Sequence, residues 1–324
     1  MEIVLAIDGG GSRTRCLAID RQGQVVSQAQ SGPSNHLLIA AEVVRRSLAE
    51  AIDQTLKSAN LNRDDVVCVS AGLAGVDFDG AGVPEMKALL RELGAHRAVI
   101  NGDMVIAHAG ALGMQEGVMA LAGTGSAILG IGAHGERVKV GGWGPVYGDE
   151  GAAYRIGQMS LRAAAREYDG RGPETALTTA LLSALGLGEF RETVWRIYVQ
   201  GMEPREIAAL SSVAYETAVA GDEVAREIFV EAGEELAESV AAAIRQLNFT
   251  GKQILVSYQG TVIEACTLVR ESFGNALKAY FPNIVLVPPR FEPVIGAYLL
   301  GCAAVDWPVD ENVFAALEKK TVPA

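Results

Sequence analysis

One pattern of short apolar runs around a glycine turn occurs twice in this 324-residue chain. The first copy has three strand-like runs, at residues 3–7, 15–19 and 25–29. The second copy has three more, at residues 118–122, 127–131 and 137–140. In each copy a glycine-rich turn joins the first two runs, at residues 8–12 and 123–126. Apolar runs of this length, bounded by glycine, predict antiparallel strands. Their repetition predicts two related domains.

Helical and strand-like segments alternate after the first copy, at residues 40–59, 66–70, 84–93, 98–100 and 104–112. Helices predominate after the second copy, and in the longest an apolar residue recurs every three or four positions from the predicted cap Asp222 to Leu247. Strand-like runs return at residues 253–257 and 284–287. The alternation predicts an α/β fold. We expect one domain over residues 1–116 with a closing helix at about 293–320, and a second domain over residues 117–292.

The charge balance of the chain restricts its partners. Lys and Arg number 27 against 39 Asp and Glu, giving a net charge of -12, which disfavours nucleic acid and anionic membranes as partners. The N-terminal segment has neither a basic start nor a long apolar stretch, so we expect no signal peptide, no membrane span and a cytoplasmic location. The four cysteines lie far apart without a CxxC pair, which predicts buried reduced thiols.

The two glycine turns are candidate phosphate-binding loops. Asp8-Gly9-Gly10-Gly11-Ser12 and Gly123-Thr124-Gly125-Ser126 each leave backbone amides unobstructed by side chains, so that the amides can converge on an oxyanion. Asp8, at the end of its strand, is placed to hold Mg²⁺ directly or through water. Either turn alone is equally typical of a simple hairpin. Because the turn occurs in both copies, a bound triphosphate is favoured.

Two other glycine motifs do not indicate a nucleotide site. Residues 130–135 spell GxGxxG, but a strand-like run follows where a dinucleotide-binding motif requires a helix. The only Gly-Lys pair, Gly251-Lys252, lacks the remainder of a Walker motif.

The segment at residues 98–103 predicts a strand that ends in a carboxylate, Asp103, before a helix of small residues. A carboxylate at such a strand end can orient an alcohol and accept its proton during phosphoryl transfer. Aspartate is also a common helix cap. The residue pattern leaves both roles open for Asp103.

Two further turns are candidate ligand loops. The turn Ser31-Gly-Pro-Ser-Asn35 has the composition of an ordinary turn. The loop at residues 141–151 carries five glycines around Trp143 and Asp149, and an aromatic face beside a carboxylate is typical of a carbohydrate pocket. The alternative is structural, with Trp143 as a core anchor and Asp149 capping a helix at residues 152–166.

The chain resembles the actin-like ATPase superfamily, and within it the BadF/BadG-type family and the N-acetylglucosamine kinases. The resemblance covers nearly the whole chain and rests on IDGGGSRTRCLAI, SGPSN, INGD, LAGTGS and GGWGPVYGDEG. It implies two duplicated actin-like (ribonuclease H-like) ATPase domains with a nucleotide cleft between them, and ATP with Mg²⁺ as cofactors. A homodimer is usual among the kinases that the chain resembles.

The resemblance also implies roles for single residues. Asp103 would be the catalytic base. The sugar would be bound by Asn35, Ser126, Ala127, Gly142, Trp143, Gly144 and Asp149. ATP would be bound by Gly9, Gly10, Gly11, Ser12, Gly123, Thr124, Gly125 and Gly260, with Asp8 as the metal residue. Contacts from residues 209–211 to the nucleoside follow from a weaker alignment. The resembling kinases usually have two adjacent glycines before the nucleoside helix, and here Gln259 replaces the first.

These expectations converge on phosphorylation of an amino sugar at its 6-hydroxyl, with N-acetyl-D-glucosamine as the first candidate. Glucosamine, N-acetylmuramic acid and N-acetylmannosamine are the alternatives among sugars. The same family contains ATPases that activate radical dehydratases and hold iron-sulfur clusters. This chain has no cysteine between Cys68 and Cys266, where those ligands would lie. A sugar sensor without catalysis stays open.

Overall fold

The structure is a computed structural model that describes residues 1–77, 80–249 and 253–319. The chain forms two compact units. Unit 1 comprises residues 1–116 and the chain from Pro288 onward, and unit 2 comprises Gly117–Val287. Lys320, the last residue of the predicted closing segment, lies outside the described residues.

The strands, in chain order, are β1 (Ile3–Gly9), β2 (Thr14–Asp20), β3 (Val25–Ser31), β4 (Val66–Leu73), β5 (Ala98–Gly102), β6 (Gly117–Ala122), β7 (Ser126–Ile131), β8 (Arg137–Gly141), β9 (Ile254–Gln259) and β10 (Ile284–Leu286). The α-helices are α1 (Ala41–Ser58), α2 (Val83–Glu92), α3 (Asp103–Leu112), α4 (Ala153–Tyr168), α5 (Leu177–Leu185), α6 (Glu192–Val194), α7 (Pro204–Val219), α8 (Glu223–Leu247), α9 (Thr261–Ala265), α10 (Thr267–Tyr280), α11 (Pro293–Ala304) and α12 (Glu311–Glu318). A short 3₁₀ helix (Arg63–Asp65) precedes β4, and a π-helix (Trp195–Val199) follows α6. The strand-like runs of the sequence are confirmed as strands.

Unit 1 has a five-stranded sheet in the order β3-β2-β1-β4-β5. β1, β2 and β3 are antiparallel neighbours, whereas β1, β4 and β5 run parallel. Both faces of β1 are buried: Ile3, Leu5 and Ile7 lie in a core with α1 and α2, and Val4 and Ala6 lie in a second core with α11. Because helices cover both faces of the sheet, β1 is apolar at every position from 3 to 7 rather than alternating.

Unit 2 repeats this sheet in the order β10-β9-β6-β7-β8. β6, β7 and β8 are antiparallel neighbours, and β9 lies parallel to both β6 and β10. The two sheets therefore have the same order and strand directions, as the repeated sequence pattern predicts. The predicted cap of α8 is confirmed: the Asp222 carboxylate accepts a hydrogen bond from the Ala225 amide at 2.8 Å.

The predicted thiol environment is also confirmed, because Cys16, Cys68, Cys266 and Cys302 are all buried and reduced. Burial raises the pKa of the Cys16 thiol to about 12, so this thiol is unreactive at neutral pH. Among the described residues, no helix is both long enough and apolar enough to cross a bilayer.

Candidate active site

The first glycine turn connects β1 to β2 in unit 1. The Gly10 amide donates to the Arg13 carbonyl at 2.9 Å, and the Gly10 carbonyl accepts from the Ser34 amide at 2.9 Å. In the described part of the chain, the amides of Gly11 and Ser12 donate to no protein group, and both residues are exposed. The turn therefore presents two adjacent N–H groups to a ligand, as an anion-binding loop requires.

The carboxyl ends of three parallel strands meet at one edge of the unit 1 sheet. Gly9 of β1 is level with Leu73 of β4, and Leu73 is level with Gly102 of β5. Asp8 and Asp103 therefore stand at the same edge, two strand spacings apart, or about 10 Å along the sheet. This edge is where ligands of α/β sheets bind.

Asp8 is a half-buried carboxylate with several charged neighbours. Its pKa is raised chiefly by burial, and the charges of Asp103 and Glu292 raise it further, while Arg15 and Arg13 lower it. Arg15 is itself paired with Glu292 at 2.6 Å. A carboxylate whose charge is destabilised in this way is stabilised by a cation placed beside it. A cation beside Asp8 would therefore stabilise its ionised form.

Asp103 is the first residue of α3, and Gly102 occupies the N-cap position without a side-chain cap. The structural alternative for Asp103, that of a helix N-cap, is therefore wrong by one residue. The carboxylate accepts a hydrogen bond from the Met104 amide at 2.8 Å, and the side chain is exposed. An ionised carboxylate in the first turn is stabilised by the helix dipole and remains accessible to a substrate hydroxyl.

The turn that carries Asn35 is bound to the first glycine turn. The Thr14 hydroxyl lies 2.8 Å from both the Gly32 carbonyl and the Ser34 hydroxyl. Asn35 is half-buried, and its Oδ1 accepts from the Leu37 amide at 3.1 Å. Unit 1 therefore brings together the predicted residues Asp8, Gly9–Ser12, Asn35 and Asp103.

The second glycine turn connects β6 to β7 in unit 2 and lies at the N-terminus of α4. The Gly123 carbonyl accepts from the Ala153 amide at 2.9 Å, and the Thr124 carbonyl accepts from the Tyr154 amide at 3.1 Å. Within the described ranges, the amides of Thr124 and Gly125 donate to no protein group. This turn thus has two available donors beside the positive end of a helix, which favours a bound anion.

Asp149 is buried, with 8% of its surface exposed, and has a positive φ of 61°. Its Oδ1 accepts from the Ser126 amide at 3.1 Å. A β-carbon added to Gly125 would lie 2.5 Å from the same oxygen, so the carboxylate lies directly against the second glycine turn. Asp149 does not cap the helix as the structural alternative expects, because α4 begins at Ala153 without a side-chain cap.

Trp143 is 64% exposed and stacks on Tyr147, with ring centroids 6.4 Å apart. The alternative role as a core anchor is wrong, because an anchor would be buried. The neighbouring Gly142 amide donates to the Ser126 carbonyl at 3.0 Å, and Gly142 lies against Ala127. Unit 2 therefore brings Ser126, Ala127, Gly142–Gly144 and Asp149 together beside the second glycine turn.

Gly260, which follows β9, lies against the start of the same turn. Its φ is 108°, and an added β-carbon would lie 2.5 Å from the Ala122 carbonyl oxygen and 3.0 Å from the Gly123 nitrogen. Only glycine fits this position. The Gly260 amide donates to Glu264 at 2.8 Å, which fixes the start of α9.

A pocket of about 270 Å³ lies beside Gly260 within unit 2. Its lining comes from α4, α7, α8, α9 and the residue after α9: Ala153, Ile156, Ser211, Ser212, Tyr215, Glu216, Phe229, Thr261, Val262, Ala265 and Cys266. Ala153 also donates to the Gly123 carbonyl, so the pocket adjoins the second glycine turn. Of residues 209–211, Ser211 is the one in the lining.

Glu235 of α8 is a site residue that the sequence pattern does not reveal. Its Oε2 accepts from the Gly151 amide at 3.0 Å, and its Oε1 accepts from Arg155 at 2.9 Å and 3.0 Å. These bonds hold the end of the loop that carries Trp143 and Asp149. Glu235 is 84 residues from Gly151 in the sequence. In the amphipathic pattern of α8 it does not differ from the other polar positions.

The chain matches a known protein family and is similar to two kinases. Residues 5–301 match the sequence profile of the BadF/BadG/BcrA/BcrD ATPase family. An N-acetylmuramic acid/N-acetylglucosamine kinase from Clostridium acetobutylicum is 30% identical over 94% of this chain and 100% of its own length. An N-acetyl-D-glucosamine kinase from Dictyostelium discoideum is 28% identical over 92% of this chain and 97% of its own length.

Solved structures share the fold at lower sequence identity. A Chromobacterium violaceum protein described as an N-acetylglucosamine kinase superposes with a TM-score of 0.70 at 23% identity, over 93% of this chain and 99% of its own. A ROK family glucokinase from Streptomyces griseus, solved with glucose and AMPPNP, gives a TM-score of 0.56 at 17% identity, over 93% and 99% of the two chains. The predicted fold class, two duplicated actin-like domains, is confirmed.

Proposed function

The chain belongs to the BadF/BadG/BcrA/BcrD ATPase family, and from that premise we propose that it transfers the γ-phosphate of ATP to the 6-hydroxyl of an amino sugar, with N-acetyl-D-glucosamine as the first candidate. Its general class, an ATP-dependent sugar kinase, is supported by the relatives and by the structural neighbours. The proposal rests mainly on one observation. Each unit has a glycine turn with two adjacent amides that donate a hydrogen bond to no described protein group.

The two glycine turns are the proposed phosphate-binding elements. Within the turns Gly9–Ser12 and Gly123–Gly125, the backbone N–H groups of Gly11, Ser12, Thr124 and Gly125 are available, and the hydroxyls of Ser12 and Thr124 add further donors. Such donors are fixed before the ligand arrives, so they stabilise the charge that develops on phosphate oxygens without reorganisation.

The nucleoside is assigned to the pocket beside Gly260. The pocket is lined by apolar groups such as Ile156, Val262 and Phe229, together with the polar groups of Ser211 and Glu216. An apolar cavity with a few polar groups suits a purine and its ribose. Gly260 permits the close approach of the Ala122–Gly123 backbone, which sets the second glycine turn beside this pocket.

Mg²⁺ is assigned to Asp8. Magnesium in phosphoryl-transfer sites commonly takes one or two carboxylates and completes its coordination with phosphate oxygens and water. When bound, the ion neutralises charge on the β- and γ-phosphates. Asp8 fits this role because burial and the neighbouring carboxylates disfavour its isolated charge.

Asp103 is assigned as the base. Its carboxylate would accept the proton of the 6-hydroxyl as the sugar oxygen bonds to the γ-phosphorus and the bond to the β-phosphate oxygen breaks, releasing ADP. Asn35 lies in the same unit and would hydrogen-bond the sugar. The proposed sugar-binding residues of unit 2 are Ser126, Ala127, Gly142, Trp143, Gly144 and Asp149.

The choice among sugars rests on the relatives. Those found act, by their names, on N-acetylmuramic acid, N-acetylglucosamine and glucosamine. Trp143 offers an exposed apolar face that suits a sugar ring with its acetamido group. Glucosamine and N-acetylmuramic acid are the alternatives to N-acetylglucosamine. We further propose a homodimer in the cytoplasm.

The function is tested by measuring ADP release from ATP with the purified protein and a panel of amino sugars and N-acetylamino sugars. We expect sugar-dependent turnover that requires Mg²⁺, with the highest kcat/KM for N-acetylglucosamine. The phosphorylated position is read by NMR of the product. A protein that binds the sugar but releases no ADP would instead be a sensor.

The role of Asp103 is tested with Asp103→Asn, which keeps the shape of the side chain but cannot accept the proton. Loss of a general base lowers turnover by about 10²- to 10⁴-fold. Asp64→Asn is the matched control, because Asp64 is an exposed carboxylate of the same unit outside the site. Near wild-type turnover in Asp103→Asn would refute the assignment.

A further inference from the structure

The imidazole of His36 lies between two glycines of the segment that joins β4 to α2. A β-carbon added to Gly75 would lie 2.9 Å from Nδ1 and 3.0 Å from Cε1 of His36. One added to Gly82 would lie 2.8 Å from Nε2 and 3.0 Å from Cε1. The ring thus fills the space that side chains at residues 75 and 82 would otherwise occupy.

Gly75 and Val76, in the segment that His36 supports, lie against Asn35 and against Gly102, the residue before Asp103. The same added β-carbon on Gly75 would lie 2.7 Å from Oδ1 of Asn35. Further along, a β-carbon added to Gly102 would lie 2.5 Å from the Val76 carbonyl oxygen, and Gly102 immediately precedes Asp103. The backbone of Gly75 and Val76 therefore lies against Asn35 and against Gly102, the N-cap residue of α3.

The segment is also tied to the first glycine turn, since the Ala74 amide donates to the Gly9 carbonyl at 2.7 Å. The Val76 amide also donates to the Leu73 carbonyl at 3.1 Å. Close packing against His36 and Gly102 further limits the movement of Gly75 and Val76.

The His36 ring packs against Gly75 and Gly82. Its Nδ1 is buried and has no hydrogen-bond partner among the residues that the structure describes. A buried polar atom without a partner lowers the stability of the fold. Such a cost is expected where a residue serves function rather than stability.

The other side of His36 faces open space. It borders a pocket of about 340 Å³ between α1 and α2, lined also by Val44, Arg45, Met86 and Leu89. Without the ring, that space would join the space beside Gly75 and Gly82. Gly75 and Gly82 would then lose the ring against which they pack.

We infer that His36 is a positioning residue for the sugar: by holding Gly75 and Val76 in place, its ring sets the position of the Asn35 amide relative to Asp103. The inference rests on the proposed function, because it assigns Asn35 to the sugar and Asp103 to the reacting hydroxyl. His36 touches neither reactant in this role and acts through the β4–α2 segment.

The test compares His36→Ala, His36→Gln and wild type in the sugar-dependent ADP-release assay. Misplacement by about 1 Å can cost as much as 10²-fold, so we expect His36→Ala to lower kcat/KM for the sugar by about 10- to 100-fold. The KM for ATP should change less, because Gly75 and Gly82, against which His36 packs, carry none of the proposed phosphate donors. His36→Gln restores part of the bulk and should recover part of the loss.

Two further variants separate positioning from folding. His96→Ala removes an exposed histidine of the same unit and should leave all parameters unchanged. Gly75→Ala places a methyl group against both Asn35 and His36 and should reproduce the sugar-specific loss. Combined with His36→Ala it should add little, because both changes disturb one contact.

Each outcome is decisive. Unchanged sugar kinetics in a folded His36→Ala, or an equal loss for sugar and ATP without recovery in His36→Gln, would overturn the inference and leave the kinase assignment intact. A wild-type protein that phosphorylates no sugar would overturn the proposed function, and the inference with it.

Discussion

The carboxylate of Asp149 lies beneath the second glycine turn and accepts a hydrogen bond from the Ser126 amide at 3.1 Å. One carboxylate oxygen of Asp149, a proposed sugar-binding residue, thus already supports the turn that is assigned to phosphate. Asp149→Ala leaves the Ser126 amide buried without this acceptor, which costs about 1–3 kcal/mol of unfolding free energy. We expect it to raise the KM of both ATP and sugar, measured beside the melting temperature.

Asp149→Asn is the matched variant, because it keeps an oxygen for the Ser126 amide and tolerates the positive φ of this position. We expect an unchanged KM for ATP and a raised KM for the sugar, since the amide replaces the charged acceptor. If neither KM changes, Asp149 supports the turn but does not contact the sugar.

Asp8 should destabilise the free protein at neutral pH. An aspartate in the unfolded chain has a pKa of about 3.9, and burial raises the value for Asp8 in the folded state. Folding thus favours the protonated form, whose contribution to stability is present below the unfolded pKa and is lost as pH rises through the folded pKa. Asp8→Asn is neutral at every pH. It should therefore melt at a higher temperature than wild type at pH 7, and the difference should vanish below about pH 4.

The same substitution should abolish most Mg²⁺-dependent turnover, since the proposed ligand is lost. Thermal melts from pH 3 to 8 and ADP release measure the two effects on one sample. Asp64→Asn, in an exposed position, should show neither. A lower melting temperature for Asp8→Asn at pH 7 would show that its charge is stabilised in the fold, contrary to the burial argument.

Much of the fold follows from local sequence patterns. The six strands of the repeat, the cap at Asp222 and the apolar stripe of α8 lie where periodicity and turn residues predict them. The described chain from Pro293 to Lys319 contains two helices, α11 and α12, and Trp307 and Pro308 lie between them. The closing segment is thus not one continuous helix.

The contacts that complete the site could not be predicted, because they join residues far apart in the sequence. Glu235 reaches Gly151 across 84 residues, and in the pattern of α8 it is an ordinary polar position. The burial of Asp149 and the exposure of Trp143 depend on how one loop folds back on the second glycine turn. Composition alone left the opposite assignment open for Trp143.

Trp143→Ala should weaken sugar binding without weakening the fold. The side chain is 64% exposed, so its removal creates no cavity in the core. We expect the sugar KM to rise by about tenfold, equivalent to ~1.4 kcal/mol, with ATP KM and melting temperature unchanged. Trp195→Ala is the matched control, because Trp195 is 55% exposed in the same unit. An equal loss of sugar and ATP binding would point to a structural role for Trp143.

Gly260→Ala should selectively damage nucleotide binding. The added methyl group would lie 2.5 Å from the Ala122 carbonyl oxygen and 3.0 Å from the Gly123 nitrogen, so the second glycine turn must shift. Because this turn carries the proposed phosphate donors, the KM for ATP should rise by about 10-fold or more, in line with the cost of misplaced groups. Isothermal titration with ADP measures the same loss independently of turnover.

Gly186→Ala separates this effect from backbone strain. Gly186 ends α5 with a positive φ of 67°, and nothing lies within 4 Å of an added β-carbon. Alanine at this position must adopt a left-handed backbone conformation, which costs about 1–2 kcal/mol of stability, but it displaces no neighbour. Its melting temperature should therefore fall while its ATP KM stays at the wild-type value. Equal ATP affinity in Gly260→Ala and Gly186→Ala would mean that Gly260 is required for the fold and not for the nucleotide.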